Sequence, residues 1–140
     1  MVKPTSQYLK YTLLCYWRFV QGCPIIALEY EGGDMDVLAV SENGMVSETE
    51  VKVTIADLKR DIKKPKHRFF SRGSVRRCHY FYFAVPAAIA EEAKEVCHEL
   101  YPHAGLLSVG SWVPAAYERA PVFNILHAKR FPAEKFTNVE

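Results

Sequence analysis

Three ionisable side chains, Asp36, Glu50 and Lys52, pose the first chemical question. Glu50 and Lys52 lie two apart in a run with strand character, Met45 to Val53, so their side chains leave the same face. Asp36 opens a shorter run, Asp36 to Val40, and Ser41-Glu42-Asn43-Gly44 separates the two. Asn-Gly between strand-like runs is a strong hairpin signal. A turn centred there sets Asp36 opposite residue 49, 50 or 51, beside Glu50, with Glu48 on the same face nearer the turn. Converging carboxylates suit a hard divalent cation such as Mg²⁺ or Mn²⁺. Such an ion lowers the pKa of bound water and neutralises charge developing on phosphorus. A lysine beside it can stabilise a phosphoryl transition state or orient the attacking water. Asp followed by Glu-x-Lys is thus a complete set of groups for phosphodiester hydrolysis.

The elements that must position this set are legible from periodicity. Residues 5–20 predict a helix, with Tyr8, Leu9, Thr12, Leu13, Tyr16, Trp17 and Val20 at helical spacing and Thr5 or Ser6 as cap. Strands are expected at 25–30, 36–40 and 45–53. Thr54 opens a helix with Ile55, Leu58 and Ile62 as its apolar stripe, stopped by Pro65, and 65–78 reads as a basic connecting loop. His79 to Val85 is an aromatic-rich central strand, Ala87 to Leu100 a helix, Leu106 to Val109 a buried strand and Val122 to Ala128 a last strand. One domain spanning 1–140 follows, an α/β sandwich with a mixed sheet.

Charge is segregated along the chain. The formal net charge of +2 hides segment sums of +3 over 1–28, −7 over 29–58, +8 over 59–77 and −2 over 78–140. In the basic stretch, Lys59, Lys63, Lys64, Lys66, His67, Arg68, Arg72, Arg76 and Arg77, interleaved with Phe69 and Phe70, could track a phosphate backbone. Without metal, the acidic cluster would repel that same backbone. Taken singly, Asp57 reads as a helix-start carboxylate, Asp61 and Lys63 as helix-surface charge, and His67 as a loop histidine. Four cysteines lack CxxC spacing and read as free thiols in a reducing cytoplasm. A zinc site from Cys78, His79, Cys97, His98 and His103 is disfavoured by spacing. No apolar run reaches membrane-span length, so a soluble chain without membrane partners is expected.

Asp36 with Glu50-Val51-Lys52 resembles the signature of the PD-(D/E)XK nuclease superfamily. The string Glu50-Val-Lys-Val-Thr-Ile-Ala-Asp57-Leu-Lys-Arg-Asp61-Ile-Lys63, with Tyr82-Phe83-Ala84-Val85-Pro86 and Ala104-Gly105-Leu106-Leu107, is similar to its MmcB-like DNA-repair branch. The resemblance spans about residues 25–110 and implies a restriction-endonuclease-like three-layer sandwich, a central mixed sheet flanked by helices. It also implies metal-dependent cleavage of nucleic acid, DNA in repair, recombination or replication. Asp36 and Glu50 would ligate Mg²⁺ or Mn²⁺, the Val51 carbonyl would be a third ligand, and Lys52 would be the catalytic lysine. Glu29 matches a further acidic position on the preceding strand, and Asp57 and Asp61 fall at secondary motif positions. The chain departs from the pattern at Asp34-Met35, where a proline or arginine is usual, and Asp34 could replace Asp36. Two rival readings remain. One is a non-catalytic, nuclease-derived DNA-binding module serving a repair or replication partner, as a homodimer or within a larger complex. The other is a domain that docks an acidic protein.

Overall fold

A computed structural model describes residues 5–29, 35–67, 78–111 and 121–133. Helix α1 (Ser6–Cys15) starts where Thr5 Oγ1 accepts the Tyr8 N–H, and it runs into a π turn, Tyr16–Val20. Gly22, at φ +73°, ends it in a conformation that side chains disfavour. Three antiparallel strands follow, β1 (Ile25–Glu29), β2 (Met35–Val40) and β3 (Val46–Val51). Thr54 Oγ1 accepts the Asp57 N–H and so caps α2 (Ile55–Arg60), which tightens into a 3-10 turn over Asp61–Lys63. Then come β4 (Tyr80–Pro86), a 3-10 turn at Ala87–Ile89, α3 (Ala90–Leu100), β5 (Gly105–Val109) and β6 (Val122–Leu126).

The six strands form one open sheet in sequence order. β3 pairs with β4 in parallel, as β4 does with β5, and the remaining pairs are antiparallel. The fold is therefore an α/β sandwich with a mixed sheet, as expected. One face packs on α1 and the π turn: Leu9, Leu13, Tyr16 and Trp17 meet Val37, Ala39, Val51, Ala84 and Leu107. The other packs on α2 and α3: Leu58, Ala93, Val96 and Cys97 meet Leu38, Val46, Phe81, Phe83 and Leu106. Odd and even residues of β4 divide between these layers as pleating requires.

The β2–β3 register pairs Val37 with Thr49 and Leu38 with Glu48, so Asp36 adjoins the last paired residue of β2. The turn is one residue wider than a tight Asn-Gly turn. Ser41 and Met45 close a three-residue loop, with Gly44 at φ +85° and its N–H bonded to Ser41 O. Three elements end sooner than periodicity suggests: β3 stops at Val51, α2 at Arg60 and β6 at Leu126. Residues 65–67, expected in a loop, are helical and in part buried, while 68–77 lie outside the described residues.

Gly105 is a tight point of the sheet. A Cβ built on it would stand 2.5 Å from the Tyr82 ring and 2.8 Å from the Ala128 backbone nitrogen. A ring can turn, but the backbone of the neighbouring segment cannot move so freely. Gly105→Ala is therefore expected to cost about 1–3 kcal/mol, measured as a lower urea midpoint at unchanged m value. An unchanged midpoint would show that the sheet relaxes around the methyl group.

Candidate functional site

Strand β3 carries the polar centre. Ser47, Glu48, Thr49 and Glu50 are all buried, and Thr49 Oγ1 accepts the Trp17 indole N–H at 3.2 Å on the α1 side. Glu48 and Glu50 point the opposite way, beneath the chain that follows α2. Proline at 65 holds Lys64 extended (φ −68°, ψ 134°), because the pyrrolidine ring disfavours helical geometry in the residue before it. The chain thereby turns back over the sheet. Lys66 places its ammonium 3.0 Å from Glu48 Oε2 and 2.6 Å from Glu50 Oε1, over the Phe81 ring.

Asp61 is the second anchor. Its Oδ1 has no aligned hydrogen bond, yet Lys52 Nζ stands 2.7 Å and Lys64 Nζ 3.0 Å from it. The same two ammonium groups lie 3.2 and 2.9 Å from Glu50 Oε2. Two carboxylate oxygens thus share two cations. Asp61 Oδ2 is 2.5 Å from His67 Nε2, and His67 Nδ1 is 3.1 Å from His103 Nε2. With Asp61 ionised, His67 Nε2–H donates to it, and a single proton is shared between His67 Nδ1 and His103 Nε2. The His67 ring sits among Phe81, Phe83 and Tyr101, and the Tyr101 hydroxyl donates to Leu58 O.

Ionisation follows this geometry. Burial works against the Asp61 carboxylate, but the His67 N–H and the Lys52 and Lys64 ammonium groups outweigh it and hold its pKa well below the usual range. Burial also opposes charge on Lys64 and Lys66, yet their carboxylate partners raise both. His103 is lowered to about 4, by burial first and then by the charges of His67 and Lys129.

The expected residues fall into separate groups. Lys52 and Asp61 line a pocket of about 290 Å³ together with Ser6, Val51, Val53, Asp57, Arg60 and Lys64, and Glu50 lies buried behind them, 3.2 Å from the Lys52 ammonium. Asp36 adjoins the Val37–Thr49 pair but does not have its expected company. Met35 packs with Leu38 and Val40, whereas Val37 packs with Ala39, so the strand alternation breaks at Asp36. The ladder leaves the Val51 N–H facing β2, and Asp36 Oδ2 accepts it at 2.7 Å. Asp36 Oδ1 is 3.8 Å from Lys10 of α1, and Glu29, exposed at φ +52°, is 2.9 Å from that same ammonium. Among the described residues, no hydrogen bond or ion pair joins Asp36 or Glu29 to Glu50. The Val51 side chain packs beneath α1.

Several charged positions also differ from expectation. Asp61 and His67 are buried rather than set on a helix surface and a loop, and Lys66 is buried between two carboxylates rather than aligned with a surface track. Lys59, Lys63 and Lys64 are exposed, and Arg68, Arg72, Arg76, Arg77 and Asp34 lie outside the described residues. Asp57 takes the helix-start role, ion-paired with Arg60, and its carboxyl is held low by Thr54 and Arg60. His103 was not visible as part of any carboxylate site. It stands 36 residues from His67, and nothing in its local spacing marks the contact.

Among the described residues, no group of three or more His, Cys, Asp and Glu side chains is arranged to hold a metal ion, and all four cysteines are free thiols. The chemistry of the donor set nonetheless fits a hard cation. Glu50 Oε2 and Asp61 Oδ1 are adjacent anionic oxygens that already attract two ammonium groups. No helix among the described residues is long and apolar enough to cross a membrane.

No protein-family model matches the chain, and no curated protein matches it. Among solved structures, the chain is similar to the SPO1766 protein of unknown function from Silicibacter pomeroyi. The TM-score is 0.61 at 16% identity, over 98% of this chain and 79% of that one. At that identity the likeness is one of fold.

Buried His103 makes stability depend on pH. An unfolded histidine titrates near 6.5, whereas His103 stays neutral in the fold down to about pH 4. Below 6.5 the unfolded chain therefore binds more protons, so stability falls as pH drops. The loss approaches about 3 kcal/mol and levels off below pH 4. Urea titrations between pH 7.5 and 4 should show this slope in the wild type and a smaller one in His103→Gln. Equal slopes would assign the titration to other groups.

Proposed function

We propose that the chain is a nuclease-type domain of the PD-(D/E)XK kind, which binds nucleic acid and hydrolyses phosphodiesters at Glu50, Lys52 and Asp61 with Mg²⁺ or Mn²⁺. One observation supports this most. Glu50 and Lys52 leave the same sheet face at the end of β3, and the Lys52 ammonium stands 3.2 Å from Glu50 and 2.7 Å from Asp61, with Lys52 and Asp61 lining a pocket. The order of α1, three antiparallel strands, α2 and a parallel β4 also accords with the helix, three-strand, helix, strand core of that superfamily.

Glu50 and Asp61 would hold the cation. When bound, it supplies Lewis-acid charge and lowers the pKa of a bound water. Lys52 is steered by both carboxylates, so its ammonium is fixed at the pocket rim, where charge develops on a phosphoryl group. His67 and His103 hold Asp61 from behind and fix its orientation. Arg60 and Lys64 at the pocket, with Lys59 and Lys63 exposed nearby, offer positive charge to flanking phosphates. DNA is the favoured substrate, by the likeness to a DNA-repair branch.

A second reading has its own observation. Lys66 already neutralises Glu48 and Glu50 from within, as befits a nuclease-derived module that docks DNA without cutting it. The two separate in a cleavage assay on single-stranded, duplex and branched DNA with Mg²⁺ or Mn²⁺. Hydrolysis is expected, with Lys52→Ala slower by about 10²–10³-fold and Glu50→Gln inactive. Salt-sensitive binding with no cleavage in either metal would favour the docking module. Cleavage unaffected by both substitutions would remove the assigned site.

A further inference from the structure

Three lysines neutralise the carboxylates of β3 and Asp61, and they are not held alike. Lys66 is 8% exposed and wedged between Glu48 and Glu50 over the Phe81 ring, so withdrawing it would uncover two buried charges. Lys52, at 15%, belongs to the end of the sheet itself. Lys64, at 44%, reaches Glu50 Oε2 and Asp61 Oδ1 from the solvent side, and it lines the pocket. Its two partner carboxylates are buried, but the lysine itself stands in solvent and is the one of the three that water reaches most directly. Lys64 alone of the three can leave without opening the core.

Charge arithmetic agrees. Glu48, Glu50 and Asp61 against Lys52, Lys64 and Lys66 sum to zero. Exchanging Lys64 for a divalent cation leaves one positive charge, which a single phosphodiester would neutralise.

From this geometry we infer that Lys64 is a displaceable internal counter-ion, which occupies the Glu50–Asp61 oxygen pair until a divalent cation takes its place. The inference rests on the metal-dependent reading of the site and adds how the cation gains entry. Once displaced, the Lys64 ammonium stands at the pocket mouth, free to meet a nucleic-acid phosphate. Lys64 thus couples the two events, because it is released by metal and engaged by the backbone.

Mn²⁺ binding, followed by electron paramagnetic resonance and calorimetry, tests this without reference to activity. Lys63→Met serves as control, because it makes the same charge change on an exposed neighbour. Lys64→Met is expected to bind Mn²⁺ about fivefold or more tighter than wild type, because the cation then has no ammonium group to displace from Glu50 and Asp61. Lys63→Met should stay within about twofold, as long-range screening allows. Equal affinities for the two variants, or no Mn²⁺ binding by any chain, would overturn the inference. If Lys64→Met binds more tightly but no chain cleaves DNA, displacement stands and the hydrolase reading falls. If wild type cleaves DNA in Mn²⁺ while the affinities are equal, the hydrolase reading stands and displacement falls.

Discussion

Glu48, Glu50 and Asp61 carry carboxylates into a layer otherwise filled by Phe81, Phe83, Leu58 and Tyr101. An unpaired charge in such surroundings costs several kcal/mol, so the rest of the polypeptide must bring cations to them. It does so in one short stretch. α2 ends in a 3-10 turn, Pro65 extends the chain at Lys64, and residues 64–67 return over the sheet with Lys64, Lys66 and His67 aimed inward. The placement of α2, the return of the chain and the packing of His67 against Tyr101 all follow from compensating charge on β3.

The same constraint explains why the acidic residues do not form one cradle. Those on the outer strands, Glu29 and Asp36, are satisfied from the α1 side by Lys10, and Asp36 also accepts the last β2-facing N–H of β3. Glu48, Glu50 and Asp61 are satisfied from the α2 side by three lysines. The sheet separates the two groups. The proposed catalytic site belongs to the second group, in which Glu50 and Asp61 share their oxygens between Lys52 and Lys64.

How much of this was legible from residue order depends on range. The helices, the strands and the β2–β3 register follow from local signals: period-two alternation, the Thr54 cap, and Asn43-Gly44 supplying a left-handed turn residue. Glu50 and Lys52 on one face followed from the same pleat. The burial of Ser47 to Glu50 was not legible, since four polar residues in a row carry no apolar signal for a core. Nor were their partners, because Lys66 lies 16 and 18 residues from the carboxylates it bridges, and His103 lies 36 from His67. Segment charges predicted an acidic cradle and a basic track as separate devices. In the fold, the near ends of the two runs neutralise each other inside the molecule.

The most direct test of this account is anomalous diffraction from crystals soaked in Mn²⁺. A peak between Glu50 and Asp61, with the Lys64 ammonium withdrawn toward the pocket mouth and Lys66 still between Glu48 and Glu50, is the predicted result. No peak there, with Lys64 still bridging the two carboxylates at saturating Mn²⁺, would contradict it.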